Sequence, residues 1–292
     1  MTMEQWIERA LFACALFCSL CVTAVFGFLV YFSWPLFLDA QGLAAVFSWV
    51  WKPFMGSFGI LPMVAGTFGL AVLALGIAYP LAIGVACFTH GLAPARIRNA
   101  ALSLVYFMTS IPTVIYGFVS VFILVPLFRD HFERGTGFCL MTSAITLAVL
   151  IVPTIVISLR AEMGQKSEEV RLAARSLGMT PAQELLWVLL PCSGRGLVIA
   201  AVLGFGRAVG DTLVALMVAG NAPVVPRSLL DSIRTLTAHI ALVVATDSQD
   251  RSYHSIFAAG LMLFLIMAGL TMVIRGLAMR IGKGKERHDS AA

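Results

Sequence analysis

Ala10–Leu38 contains no Asp, Glu, Lys or Arg, and Pro53–Ala95, Asn99–Phe128, Gly135–Leu159 and Ser252–Ile274 are equally free of them. About 20 apolar residues carry a helix across the hydrocarbon core of a bilayer. In lipid, only helices and closed barrels pair all their backbone groups internally. Composition points the same way. Of the residues, 60% are apolar and 12% charged, where a soluble domain carries about 25% charged. Too little charge exists to cover a globule of 292 residues in water. A soluble enzyme, a disordered chain and a disulfide-stapled domain do not fit, which leaves an all-α polytopic membrane protein.

Six spans are predicted: Ala10–Phe32, Pro62–Phe88, a helix within Asn99–Phe128, Gly135–Leu159, Gly196–Val218 and Ser252–Ile274. The fifth carries two charges, Arg207 and Asp211. Met1–Arg9 holds two glutamates and an arginine, and no clear small-residue cleavage site follows the first apolar run, so that run reads as a span and not a signal peptide. Thirteen of the 20 Lys and Arg fall in the N-terminus, the connections after spans two and four, and the tail; six fall in the other connections. The positive-inside rule then predicts both termini in the cytoplasm. The expected organisation is a short cytoplasmic start over residues 1–9, a six-span domain over 10–274 and a basic tail over 275–292. The net charge of +5 follows from this asymmetry and calls for no nucleic-acid partner.

Cys14, Cys18 and Cys21 have a spacing that can hold an iron–sulfur cluster. They lie in an uncharged run, where cysteine serves as a small apolar residue. The five histidines show no ligand spacing, so neither metal nor cofactor is expected. Prolines 80, 112, 126 and 153 fall within or at the ends of spans, either as kinks opening a pathway or as tolerated breaks.

The longest cytoplasmic connection, residues 160–195, is predicted to form two short helices. Ser167 is a candidate N-cap with Glu168 and Glu169 in the first turn. Val170, Ala173, Ala174 and Leu177 repeat at helical spacing, and Gly178 suits a left-handed C-cap. Thr180, Pro181 and Gln183 form a capping box opening the second helix, which Pro191 should stop. A DNA-binding helix-turn-helix has a similar local pattern, but this pair is tethered between spans and carries glutamates on its polar faces.

Leu172-Ala173-Ala174, then Gly178, then Val188-Leu189-Leu190-Pro191 resembles the EAA loop of ABC importer permeases. The resemblance implies that Glu169, Ala173, Ala174, Leu177 and Gly178 dock a cytoplasmic ATPase. Leu172 stands where that pattern usually has glutamate. Phe58–Pro62, Ile111–Gly117 and Gly206–Thr212 look like the phosphate (Pst) permeases, and Ala219–Pro223 with Arg234–Thr237 resembles the PstC-type subunit more than the PstA-type. The resemblance implies a PstA-like second permease, two ATPase subunits, an external phosphate-binding protein and a bacterial-type inner membrane.

Arg207 stands near the middle of the fifth predicted span, where an arginine costs about 2.5–3.5 kcal/mol on insertion scales. Asp211 lies one turn on. The pair is either helix glue or a substrate contact, guanidinium being suited to bidentate binding of a tetrahedral oxyanion. The resemblance adds Thr212 to the pathway residues. Asp211 replaces the family's more usual glutamate. Gly206 and Gly210 form a G-x-x-x-G pair and predict close helix packing. No phosphate-cradling G-x-x-x-x-G-K-[ST] loop or catalytic constellation occurs, so ATP hydrolysis is assigned to partner subunits. The expected function is movement of inorganic phosphate. Alternatives are molybdate or sulfate in the same kind of machine, an ion-coupled secondary transporter or channel, and a membrane scaffold. A surface helix is expected over Ser228–Ile240 of the outer loop, capped by Ser228 and Asp231.

Overall fold

The computed structural model describes residues 3–38, 44, 46–55, 57–132, 135–246 and 250–289. The chain is built from helices α1 (Met3–Leu38), α2 (Leu61–Cys87, prolonged by a π turn Phe88–Leu92), α3 (Ala95–Ser110), α4 (Thr113–Phe122) and α5 (Leu124–His131). There follow α6 (Leu140–Ser176), the irregular helix α7 (Pro181–Cys192), α8 (Gly194–Val209), α9 (Leu213–Val218), α10 (Leu236–Thr246) and α11 (Asp250–Asp289). A two-residue hairpin, β1 (Trp51–Lys52) with β2 (Ser57–Phe58), pairs Trp51 with Phe58. Among the described residues, five helical segments are long and apolar enough to cross a membrane; α7 and α8, bent by 72° to each other, pass the same test only when taken together.

The centre is α2 against α6, with α8 laid across both. Ala71, Ala74, Ala78, Ala82 and Ala86 are all fully buried along α2. Facing them, α6 contributes Leu147, Ile151, Ile155, Leu159 and Met163. Small residues every fourth position let helix backbones approach closely, which is the main source of packing energy where water is absent. Helix α8 repeats the device with Gly196, Ala200, Gly204 and Ala208. A Cβ on Gly204 would stand 2.7 Å from Ile155 Cδ1, and one on Gly196 2.6 Å from Glu162 Cβ. The tightest packing therefore runs through this stripe and not through Gly206–Gly210. Gly206 and Gly204, two positions apart, point about 200° apart around the helix. A Cβ on Gly206 would meet only ordinary contact, Leu270 Cδ2 of α11 at 3.4 Å.

Helix α1 packs on α11 through Phe26–Phe264 and Phe32–Phe257, with ring centroids 5.2 and 4.8 Å apart. Most of its other described apolar side chains are exposed, as suits a helix in lipid. Cys14, Cys18 and Cys21 lie on that exposed surface.

Several predicted elements take another form. The third span is broken at Ile111–Pro112, because proline disfavours helix at the residue before it and lacks an N–H. The segment long enough to span is Thr113–His131, and Tyr116 Oη donates to Met108 O across the break at 2.8 Å. The connection over residues 160–195 does not start a new helix at Ser167, since α6 runs unbroken to Ser176. The loop before α10 does not form the helix predicted over Ser228–Ile240, since residues 228–235 are not helical. Asp231 Oδ2 accepts the Arg227 and Ser228 N–H groups in a turn, and helix begins only at Leu236. The loop's carbonyls serve elsewhere: Leu140 and Met141, whose N–H groups lack intrahelical partners, donate to Asp231 O and Leu229 O.

Gly66 of α2 lies under this loop, where an added Cβ would stand 2.5 Å from the Arg234 carbonyl oxygen. Gly69, one turn on, has open space. Gly66→Ala is expected to cost about 1–3 kcal/mol and to lower the thermal midpoint of the detergent-solubilised protein. Gly69→Ala should leave that midpoint unchanged or raised; equal melting of the two variants would mean that the loop does not rest on α2.

Candidate functional site

The fifth span is two helices joined through Gly210–Thr212, with Arg207 in the last turn of α8 and Asp211 in the break. It is thus not the continuous helix predicted over Gly196–Val218. Asp and Asn side chains offer the backbone local hydrogen bonds that compete with helix. Here Asp211 Oδ2 accepts the Val214 N–H at 2.9 Å, supplying an acceptor at the start of α9. The other carboxylate oxygen, Oδ1, stands 3.6 Å from Arg207 Nη1. That is an ion pair too long for a hydrogen bond. Thr237 Oγ1 of α10 donates to Asp211 O at 2.9 Å and fixes the break from the other side. Thr212, half-buried, ends the interruption, and its carbonyl accepts the Leu216 N–H.

The two charges are placed differently. The Asp211 side chain is 3% exposed and the Arg207 side chain 39%. The carboxylate is held inside, and the guanidinium reaches an open face with donors to spare. A cation tethered to a buried acid and presented at a helix break can exchange that acid for a mobile anion.

At the opposite end, α6 finishes as the glycine spacing predicts. Gly178 has φ +70°, and the Met179 N–H returns to Ala174 O at 3.1 Å. This closes the helix in a Schellman turn. The predicted capping box is present: Gln183 N donates to Thr180 Oγ1, and Thr180 N to Gln183 Oε1. Pro191 does not stop the second arm, which ends at Cys192 and turns at Ser193 into α8. Ala173 and Leu177 are exposed, Leu177 at 78%, but Ala174 is buried and leaves the predicted apolar face. Leu172 takes its place outside, 69% exposed. Glu169 lies in α6, and its side chain falls outside the described residues.

Sequence reasoning missed what joins the arms. Arg171 Nε of α6 stands 3.7 Å from Glu184 Oε1 of α7. With His90, Gly91 and Pro181 this pair lines a cleft of about 230 Å³. Leu186 and Trp187 of α7 are exposed as well. Helical periodicity shows one face of one segment and carries no signal for a contact between two arms.

The family model described as binding-protein-dependent transport system inner membrane component matches residues 78–283. The chain is 31% identical to the phosphate transport system permease protein PstC of Pasteurella multocida, covering 94% of this chain and 91% of that one. It is 33% identical to the probable ABC transporter permease protein YqgH of Bacillus subtilis, covering 76% and 72%. Among solved structures, an inward-facing MetNI methionine ABC transporter matches with TM-score 0.60 at 17% identity, over 78% of this chain and 99% of that one. A bacterial ABC transporter involved in alginate import matches with TM-score 0.59 at 15% identity, over 94% and 99%. These two likenesses concern the fold.

Asp211→Asn keeps an acceptor for the Val214 N–H, whereas Asp211→Ala removes it. Loss of such a cap costs about 1 kcal/mol. The alanine variant should therefore melt below the asparagine variant in detergent. If the order is reversed, the carboxylate is not what holds the start of α9.

Proposed function

The chain belongs to the binding-protein-dependent transport system inner membrane components, and we propose that it is the PstC-type permease subunit of an ATP-driven importer of inorganic phosphate. It is a multi-pass subunit of the inner membrane, and hydrolysis of ATP belongs to separate subunits of such a system. One chain forms half of a pathway. The partners proposed are a PstA-like permease, two ATPases and an external phosphate-binding protein. Both termini, including the basic tail over residues 275–292, are assigned to the cytoplasm, with the arms over residues 160–195.

The observation that carries the reading is the part-exposed Arg207 guanidinium beside a buried acid at a helix break. In the resting state Asp211 neutralises Arg207 and lowers the cost of a cation in the membrane. Arriving phosphate takes over the guanidinium through two parallel hydrogen bonds. Phosphate, unlike sulfate, keeps a proton near neutral pH, and Asp211 is the acceptor proposed for it. Thr212 lies on the same break.

Coupling follows from α6. It is one helix from Leu140 to Ser176, so a push on Leu172, Ala173 or Leu177 travels along a rod. The rod reaches Ile155, which packs against Gly204 of α8, the helix that carries Arg207. Glu169 and Gly178 complete the proposed ATPase contact.

In proteoliposomes holding the full complex, phosphate uptake should require ATP; uptake persisting without it would assign the chain to an ion-coupled class. Arg207→Lys keeps the charge but loses the planar fork, and uptake is expected to fall about tenfold or more. Arg207→Gln with Asp211→Asn should assemble without transporting. Near-normal uptake by that double variant would reduce Arg207 to helix glue. Gly178→Val, forced against φ +70°, should insert normally and lose uptake, and wild-type uptake would remove the turn from the coupling path.

A further inference from the structure

Arg234 sits on the outer loop, between Ile233, which pairs with Gly220, and the start of α10. It is half-buried, and its Nε donates to Asn221 O at 2.8 Å. Among the described residues its two Nη groups have no hydrogen-bond partner, and the ion pairs do not include it. Burial pushes its pKa below the ordinary value, with no carboxylate restoring it. A desolvated guanidinium without a counter-charge is costly. Arg207 has Asp211; Arg234 has nothing of the kind.

Asn221 supplies the second half. Its backbone is left-handed, at φ 58°. Its Nδ2 donates to Leu216 O at 2.6 Å, which fixes the orientation of the amide. Oδ1 is then buried with no donor facing it. Free donors on Arg234 and a free acceptor on Asn221 thus belong to one hydrogen-bonded unit. A tetrahedral oxyanion that keeps a proton satisfies both, its oxygens taking the Nη donors and its hydroxyl serving Oδ1. Sulfate leaves Oδ1 unpaired. The unit stands one short helix, α9, beyond the Arg207–Asp211 break, about 9 Å at 1.5 Å per residue. Thr237, three residues after Arg234, is bonded to that break.

We propose that Arg234 and Asn221 form an outer waiting site for a partly protonated tetrahedral oxyanion, occupied before the cargo reaches Arg207. The site rests on the phosphate reading above, and its failure is separable from failure of that reading. In the complete complex in nanodiscs, phenylglyoxal labelling of Arg234 is followed by peptide mass spectrometry with phosphate, sulfate or chloride at matched ionic strength. Phosphate should slow labelling several-fold, sulfate and chloride little, and the protection should persist in the double variant Arg207→Gln with Asp211→Asn, which is expected to assemble without transporting. Arg234→Gln should lower phosphate uptake about tenfold or more while the complex assembles with unchanged thermal midpoint. Equal protection by sulfate, no protection by phosphate, an Arg234 closed to the reagent, or wild-type uptake by Arg234→Gln would each overturn the site. A wild-type complex that moves no phosphate would overturn the transport reading itself.

Discussion

Lipid offers a helix no hydrogen bonds, so every interruption of a span has to be closed by the protein. The break at Gly210–Thr212 is closed by Asp211 from within and Thr237 from outside. The break at Ile111–Pro112 is bridged by Tyr116. This requirement explains why the acid beside Arg207 is the buried partner. A carboxylate that holds a backbone N–H cannot turn outward with its cation, and the asymmetry of the pair follows. The guanidinium faces the open side because the carboxylate is committed elsewhere.

The same constraint sets the packing. Apolar burial gives little drive between helices in hydrocarbon, so close contact of small residues takes over. The alanines of α2 and the Gly196–Ala208 stripe of α8 both lean on α6. A helix gripped in this way moves with its neighbours. The rod that ends at the Gly178 turn is therefore also the wall against which the arginine-bearing helix rests, and the proposed ATPase contact and the charged pair share one packed unit.

Much of this was legible in the residues. Charge-free runs located the spans, since a 60% apolar chain leaves few positions for charge outside the connections. Gly178 and the Thr180–Gln183 box were legible because capping is local chemistry. The misplacements share one cause, a local signal overridden by a distant partner. Ser167 has the type of an N-cap, yet nothing before it stops α6. Ser228 and Asp231 are good caps, but the carbonyls of Leu229 and Asp231 serve α6 across the loop. The Gly206–Gly210 spacing is a packing motif, and the neighbouring stripe two positions away lies on the face that meets α6. Ala174 shares helical spacing with Ala173 and is turned inward by the turn it helps to close.

Leu172 bears on how the proposed coupling surface would work without the usual glutamate. With Leu177 it presents exposed apolar side chains at the tip of the rod, a contact whose strength grows with area removed from water. Such a knob has no directional hold, so the two arms need their own tie to stay aligned. Arg171 and Glu184 supply one at the root of the tip, and Leu185 and Leu189, both buried, seat the second arm in the core. An ion pair half open to water is worth at most about 1 kcal/mol, far less than the burial of two leucines. The leucines therefore carry the load between the arms, and the ion pair sets their register.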